Sequence, residues 1–103
     1  MRRVALAAVV ASVASVGCAA RPTEEECRAA LDRYVEMTLG DDLDVARAGP
    51  ESVVAVREAK KAARRTEPRY QAAVARCARE VSRAELECAM KAVNANAWEA
   101  CIE

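Results

Sequence analysis

"TEEECRAALDRYVEMTLG", residues 23–40, carries both marks of a helix, a start signal and one apolar face. Thr23 and Glu26 form a capping box, in which the Thr side chain accepts from the N3 amide and the Glu side chain accepts from the N-cap amide. Behind them, side chains suited to burial recur at the spacing of one helical face: Cys27, Ala30, Leu31, Tyr34, Val35 and Thr38. Gly40 is a C-terminal stop signal, so the stretch predicts a helix that ends there.

Similar signals divide the rest of the chain. Pro50 suits the first turn of a second helix that runs to about Thr66, and Pro68 opens a third. Ser82 with Glu85 is a second capping box, and Asn96 is predicted to cap a short last helix. Residues 41–49 are predicted to be a solvated loop or cap, in which Leu43 and Val45 suit a helical turn. The residues predicted to be buried are, for the second helix, Val53, Val56, Ala59 and Ala63, and for the third, Tyr70, Val74, Cys77, Ala78 and Val81. For the helix after Ser82 they are Leu86, Ala89, Met90 and Val93, and for the last helix Trp98, Cys101 and Ile102.

The predicted fold class is therefore all-α, because no segment alternates like a strand. We expect a small helical bundle of about four helices, or paired helical hairpins, stapled by disulfides. The core must be thin, since the 103 residues include 25 alanines and no phenylalanine. Small domains bury a low share of their surface and usually need staples such as disulfides.

The N-terminus has the layout of a secretory signal. Arg2 and Arg3 precede an uncharged run from Val4 to Gly17, which as a helix reaches about 21 Å and is short for a membrane span. We predict a cleaved signal peptide at residues 1–17, a lipidated tether at 18–22 and a disulfide-stapled helical domain at 23–103.

Ser15-Val16-Gly17-Cys18 resembles the lipobox of bacterial lipoproteins, with Ser15 where the family usually has Leu. The resemblance implies cleavage after Gly17 and several fatty acyl chains, such as palmitate, on Cys18. It also implies a membrane anchor in the cell envelope, facing the periplasm or surface. The family's inner-membrane proteins often carry Asp directly after the lipidated cysteine. Ala19 stands at that position, and the absence of Asp favours the outer membrane. The alternatives are ordinary cleavage to a soluble periplasmic product, or Cys18 as a small apolar residue of the signal.

Cysteine number agrees with an anchor at Cys18. An exported protein with five cysteines has one left over, and lipid on Cys18 leaves four that can all pair. Four cysteines allow three connectivities. Predicted apolar faces favour Cys27–Cys77, and positions about one helical turn before and after the Asn94 turn favour Cys88–Cys101 in an antiparallel hairpin. Pairings of Cys77 with Cys101 or Cys88 stay open.

A basic stripe spans residues 57–65, where five cations share one helical face: Arg57, Lys60, Lys61, Arg64 and Arg65. One interpretation is a solvated face offset by Glu58 and nearby aspartates. The other is a candidate binding surface for anionic lipid or an acidic protein, since each cation near an anionic membrane contributes about 1 kcal/mol. Nucleic acid is not expected as a partner, because the chain beyond the signal is slightly acidic and no aromatic residues interleave the stripe.

The sequence contains no motif typical of an enzyme active site or of a metal site. Histidine is absent, and no P-loop, dinucleotide fingerprint or CxxC spacing occurs. We therefore expect no enzyme activity, metal or cofactor. The leading hypothesis is a small exported lipoprotein that acts as a binding or envelope-structural module. The alternative is a soluble periplasmic or secreted inhibitor or carrier that binds an anionic partner through residues 57–65.

Overall fold

The computed structural model describes residues 21–102, and within them it has six helices and no strand. The all-α prediction is confirmed. In chain order the helices are α1 (Glu24–Thr38), α2 (Leu43–Arg47), α3 (Val53–Arg65), α4 (Pro68–Glu80), α5 (Arg83–Lys91) and α6 (Ala95–Ile102), with a 3-10 turn at Leu39–Asp41.

Both predicted capping boxes are present. The Thr23 hydroxyl accepts from the Glu26 amide at 3.1 Å, and the Glu26 carboxylate accepts from the Thr23 amide at 2.8 Å. Ser82 and Glu85 make the same reciprocal pair at 3.1 and 2.8 Å. These short-range bonds fix the starts of α1 and α5 by satisfying amides that the helix itself leaves unpaired.

Three local predictions need correction. The second long helix begins at Val53, because Pro50 lies in a turn closed by the Gly49 carbonyl. Residues 43–47 are a helix of their own, since the Asp42 carboxylate caps the Asp44 and Val45 amides at 2.8 and 3.2 Å. The last helix is capped by Asn94 and not by Asn96: the Asn94 side-chain oxygen accepts from the Ala97 amide at 2.8 Å.

Two disulfides staple the fold. They join Cys27 of α1 to Cys77 of α4, and Cys88 of α5 to Cys101 of α6. The paired Cα atoms lie 6.0 and 5.6 Å apart, within the usual range for a disulfide. This is the connectivity that the sequence favoured, and it makes α5 and α6 a covalently closed hairpin.

The core consists of three small clusters along α1. The first surrounds Cys27, Tyr70 and Val74, the second Ala30, Val81 and Leu86, and the third Val35, Leu39 and Val45. Among residues 21–102 only Leu39 and Cys27 are large side chains with less than 2% exposure. The thin core expected from the alanine-rich composition is therefore what the structure has.

Four residues predicted to be buried are exposed. Ala59 and Ala63 face solvent on α3, while Met90 is 39% and Val93 85% exposed beside the α5–α6 turn. Helical spacing places Ala59 and Ala63 on one face with Val53 and Val56. In the structure, the face of α3 that packs on the domain instead combines the two valines with cations such as Lys61. Lys and Arg can pack their aliphatic stems while the charged head stays at the edge, so they displace alanine from this contact.

Candidate functional site: an apolar groove beside the N-terminal tether

A groove of about 460 Å³ lies where α1, α4, α5 and α6 meet. The Cys27–Cys77 disulfide and the charged residues Arg76, Glu80 and Glu85 are part of its lining. The other lining residues are apolar and come from all four helices and the α4–α5 junction: Ala30, Leu31, Ala73, Val81, Leu86, Trp98 and Ile102. Clefts of this size with mostly apolar walls are typical of sites for small ligands. The groove is therefore the candidate binding site of the domain.

Trp98 is fixed where it lines this groove. Its indole N–H donates to the Ala30 carbonyl of α1 at 3.0 Å, and its ring lies 4.7 Å from the Tyr34 ring at a tilt of 48°. The Tyr34 hydroxyl in turn donates to the Glu99 carboxylate, which together with burial raises the pKa of Tyr34. The sequence predicts Trp98 as a buried residue of the C-terminal hairpin, whereas the structure shows that it also joins α6 to α1.

The charged groups at the groove's rim have partners of their own. Arg76 and Glu80 form an ion pair one helical turn apart at 3.2 Å. The Glu85 carboxylate accepts from the Ser82 amide, and this bond lowers the pKa of Glu85. The Arg76 and Glu80 charges offset each other, and the Glu85 carboxylate is hydrogen-bonded to the Ser82 amide, so the apolar part of the lining suits an apolar ligand.

The tether leaves the domain next to the groove. Pro22 is buried, and the Arg21 guanidinium donates to the carbonyl of Val81, a groove residue, at 3.4 Å. Arg83 donates to the Arg21 carbonyl at 3.0 Å and to the Glu26 carboxylate at 2.8 Å. Residues 21 and 22 are thus bound to the junction of α4 and α5, which fixes the point at which the chain enters the domain.

The predicted basic stripe faces the acidic side of the domain. Lys60 pairs with Asp42 and Asp44 at 3.2 and 2.7 Å, and this pairing raises the pKa of Lys60. Arg65 contacts Asp32 through two guanidinium nitrogens at 3.2 and 2.8 Å.

Lys61 is the most enclosed of the three paired cations. Its ammonium group lies 2.8 Å from Glu36 and 3.2 Å from Glu58, and its side chain is 14% exposed. The hydrogen bond to Glu36 raises the pKa of Lys61. Arg57 and Arg64 are half-buried on the same side of α3. Three members of the stripe therefore bind carboxylates of the chain itself, as the interpretation of offsetting acidic residues expects.

The groove was not predicted from the sequence. Its walls come from four helices, and the only signal was that most of its apolar residues fell on predicted apolar faces: Cys27, Ala30, Leu31, Cys77, Val81, Leu86, Trp98 and Ile102. The predicted lipidation residue, Cys18, lies outside the described residues. Within residues 21–102, no group of three or more Cys, Asp or Glu side chains is arranged to hold a metal ion.

Comparisons with known proteins found no match. No protein-family model matches it, and neither a curated protein nor a solved structure does. None of the helices between residues 21 and 102 is long and apolar enough to cross a membrane.

Proposed function

We propose that this chain is a small exported lipoprotein, anchored in a membrane by lipid on Cys18, whose helical domain is a non-enzymatic binding module of the cell envelope. The observation that carries the proposal is the use of the cysteines. The two disulfides take Cys27, Cys77, Cys88 and Cys101, and the fifth cysteine is Cys18, directly after the apolar run. An exported protein with one unpaired cysteine needs a role for it, and acylation is the role that the lipobox resemblance supplies.

Export is supported by the disulfides themselves. Such bonds persist in the periplasm and other oxidising compartments and are rare in the cytosol. A thin core stabilised by two staples is also the design of small exported domains. The anchored domain is expected at the outer membrane, facing the periplasm or surface, as the lipobox resemblance implies.

The binding part of the proposal is supported by the groove. It offers mostly apolar walls, a fixed Trp98 and charges of which Arg76 and Glu80 offset each other, which favours an apolar ligand over an ionic one. Removal of apolar surface from water would provide the affinity. The alternative function, capture of an anionic partner through residues 57–65, has less support, because Lys60, Lys61 and Arg65 already hold carboxylates of the same chain.

Fractionation of Cys18→Ala against the natural chain tests the anchor. We expect the natural chain to sediment with membranes and to incorporate labelled palmitate, and the variant to lose the label and normal processing. Ala20→Ser is the matched control, since it changes a small residue of the tether without removing the sulfur. Unchanged processing and membrane association of Cys18→Ala would refute the anchor and favour the soluble alternative.

A further inference from the structure

We propose that the groove between α1, α4, α5 and α6 holds one acyl chain of the lipid on this chain's own Cys18 whenever no membrane is present to receive it. This inference rests on the lipid anchor proposed above. It names the occupant of the groove, and it gives the domain a second task, that of shielding part of its own anchor from water.

The first support is the path of the tether. Arg21 donates to the carbonyl of Val81 at 3.4 Å, and Val81 lines the groove. The Arg21 carbonyl is itself held by Arg83. Cys18 is three residues before Arg21, and three residues span at most about 10 Å. The lipid is therefore attached within a short reach of the groove's rim.

The second support is the match between the groove and an acyl chain. The apolar lining includes the buried side chains of Val81, whose carbonyl the tether contacts, and Leu86, with the partly buried Trp98 and Ile102 packed against them. Each methylene that leaves water for such a surface gains free energy. The volume of about 460 Å³ lies in the lower part of the range found for ligand sites, which suits one chain and not the whole lipid.

The third support is the competition with a membrane. One acyl chain binds a bilayer only reversibly, whereas two or more hold firmly. A bilayer that takes all the chains of the lipid therefore outcompetes a groove that takes one. We infer that the groove is filled while the protein is away from a bilayer and is released when the anchor inserts.

Trp98 provides the measurement, because it is the single tryptophan of the chain and lines the groove. We would compare acrylamide quenching of Trp98 in the lipidated protein and in unlipidated Cys18→Ser produced without residues 1–17, both without detergent. Intact mass spectrometry first confirms the mass of each protein. We expect quenching to be about twofold weaker in the lipidated protein, because an acyl chain over the indole excludes water and the quencher dissolved in it. Vesicles of phosphatidylglycerol should return quenching to the level of Cys18→Ser.

A matched pair of variants separates the groove from simple aggregation. Ala73 lines the groove and is half-buried, while Ala72 is exposed and outside it. With Ala73→Phe, quenching of Trp98 should no longer differ between lipidated and unlipidated protein and should no longer respond to vesicles. With Ala72→Phe, both the difference and the response should remain. If lipid still protected Trp98 from acrylamide in Ala73→Phe, the groove would not be the cause of the protection.

The remaining outcomes distinguish the two proposals. If the mass shows acyl chains on Cys18 but Trp98 is quenched equally in the lipidated protein and in Cys18→Ser, the anchor stands and the docking of its acyl chain is wrong. If Ala73→Phe fails to fold, analytical ultracentrifugation of the detergent-free lipidated protein decides the matter. Protection of Trp98 in the monomer supports docking, and protection found only in larger species is aggregation and overturns it. If no acyl mass is present, both the anchor and the docking are wrong.

Discussion

The two ends of α1 are held to the rest of the domain by different interactions. Near its start, α1 is bonded to α4 by the Cys27–Cys77 disulfide and packs on the cluster of Tyr70 and Val74. Near its end, it meets α2 and α3 through a small valine and leucine cluster and through ion pairs at the surface. One end is stapled covalently, whereas the other has no disulfide and depends on a small buried apolar cluster and on ion pairs that water and salt can reach.

This difference is also a difference in strength. Exposed ion pairs contribute about 0.2–1 kcal/mol each and weaken in salt, whereas a disulfide typically contributes about 2–4 kcal/mol. The helix that depends on ion pairs, α3, has no fully buried residue. We therefore expect α3 to open first, while the stapled part around the groove stays folded.

The largest effect should come from the staple on α1. In the chain-entropy model, the 50-residue separation of Cys27 and Cys77 corresponds to about 4 kcal/mol. We expect the double variant Cys27→Ala, Cys77→Ala to lose about that much free energy of unfolding, measured by urea titration, with Cys88–Cys101 intact. A loss below about 1 kcal/mol would show that the packing of the two helices, and not the bond, holds this end.

A smaller loss is expected for the hairpin staple. Cys88 and Cys101 close a loop with a separation of 13 residues, which corresponds to about 3 kcal/mol in the same model. The double variant Cys88→Ala, Cys101→Ala should therefore unfold at a higher urea concentration than the variant without Cys27–Cys77. The reverse order would mean that the α5–α6 hairpin carries more of the stability than α1 does.

The ion-paired end should respond to Asp32→Asn. Burial opposes ionisation of Asp32, but hydrogen bonds from Arg65 and Tyr70 outweigh it and lower its pKa. Loss of this charge should lower the free energy of unfolding by about 1 kcal/mol. The reason is that the one carboxylate accepts hydrogen bonds from two nitrogens of Arg65 and from the Tyr70 hydroxyl. Amide hydrogen exchange should become faster in α3 and stay unchanged in α5.

The control for this variant is Asp44→Asn. Asp44 also binds a cation of α3, at 2.7 Å from Lys60, but its side chain is 67% exposed and Lys60 keeps Asp42 as a second partner. We expect a change of only a few tenths of a kcal/mol. If both variants left exchange in α3 unaltered, the ion pairs would not be what holds this helix.

The last effect concerns the capping box of α1 and appears only as a dependence on pH. Hydrogen bonds from Arg83 and from the Thr23 amide lower the pKa of Glu26 from 4.5 to about 2. A lowered carboxyl pKa adds stability above about pH 4.5 that is lost as pH falls toward 2. Glu26→Gln should therefore lower the thermal midpoint at pH 6 and make little difference at pH 2. An equal loss at both values would mean that the charge of Glu26 is not involved.

Much of this fold could be predicted from the sequence because its signals are local. The capping boxes at Thr23 and Ser82 act within four residues, and the faces that carry Cys27 and Cys77 follow from helical spacing. The orientation of α3 could not be read in this way. Its cations bind carboxylates such as Asp32 and Glu36, which lie 33 and 25 residues away along the chain.

The groove escaped prediction for a related reason. Periodicity shows that Leu31, Val81 and Trp98 are apolar positions of their helices, but whether they fill the core or line a cleft depends on how closely four helices approach. The scarcity of large side chains supplies the physical cause. With alanine at so many positions, the helices cannot fill the space where they meet, and an open apolar cleft remains.

Intact mass spectrometry of the mature protein from the membrane fraction, with and without reduction and alkylation, tests the central claim most directly. The claim is that Cys18 is the anchor and the other four cysteines are staples. We predict a chain that starts at Cys18 with added acyl mass, and four thiols that alkylate only after reduction. An unacylated chain, or a thiol that alkylates without reduction, would contradict this division of the cysteines.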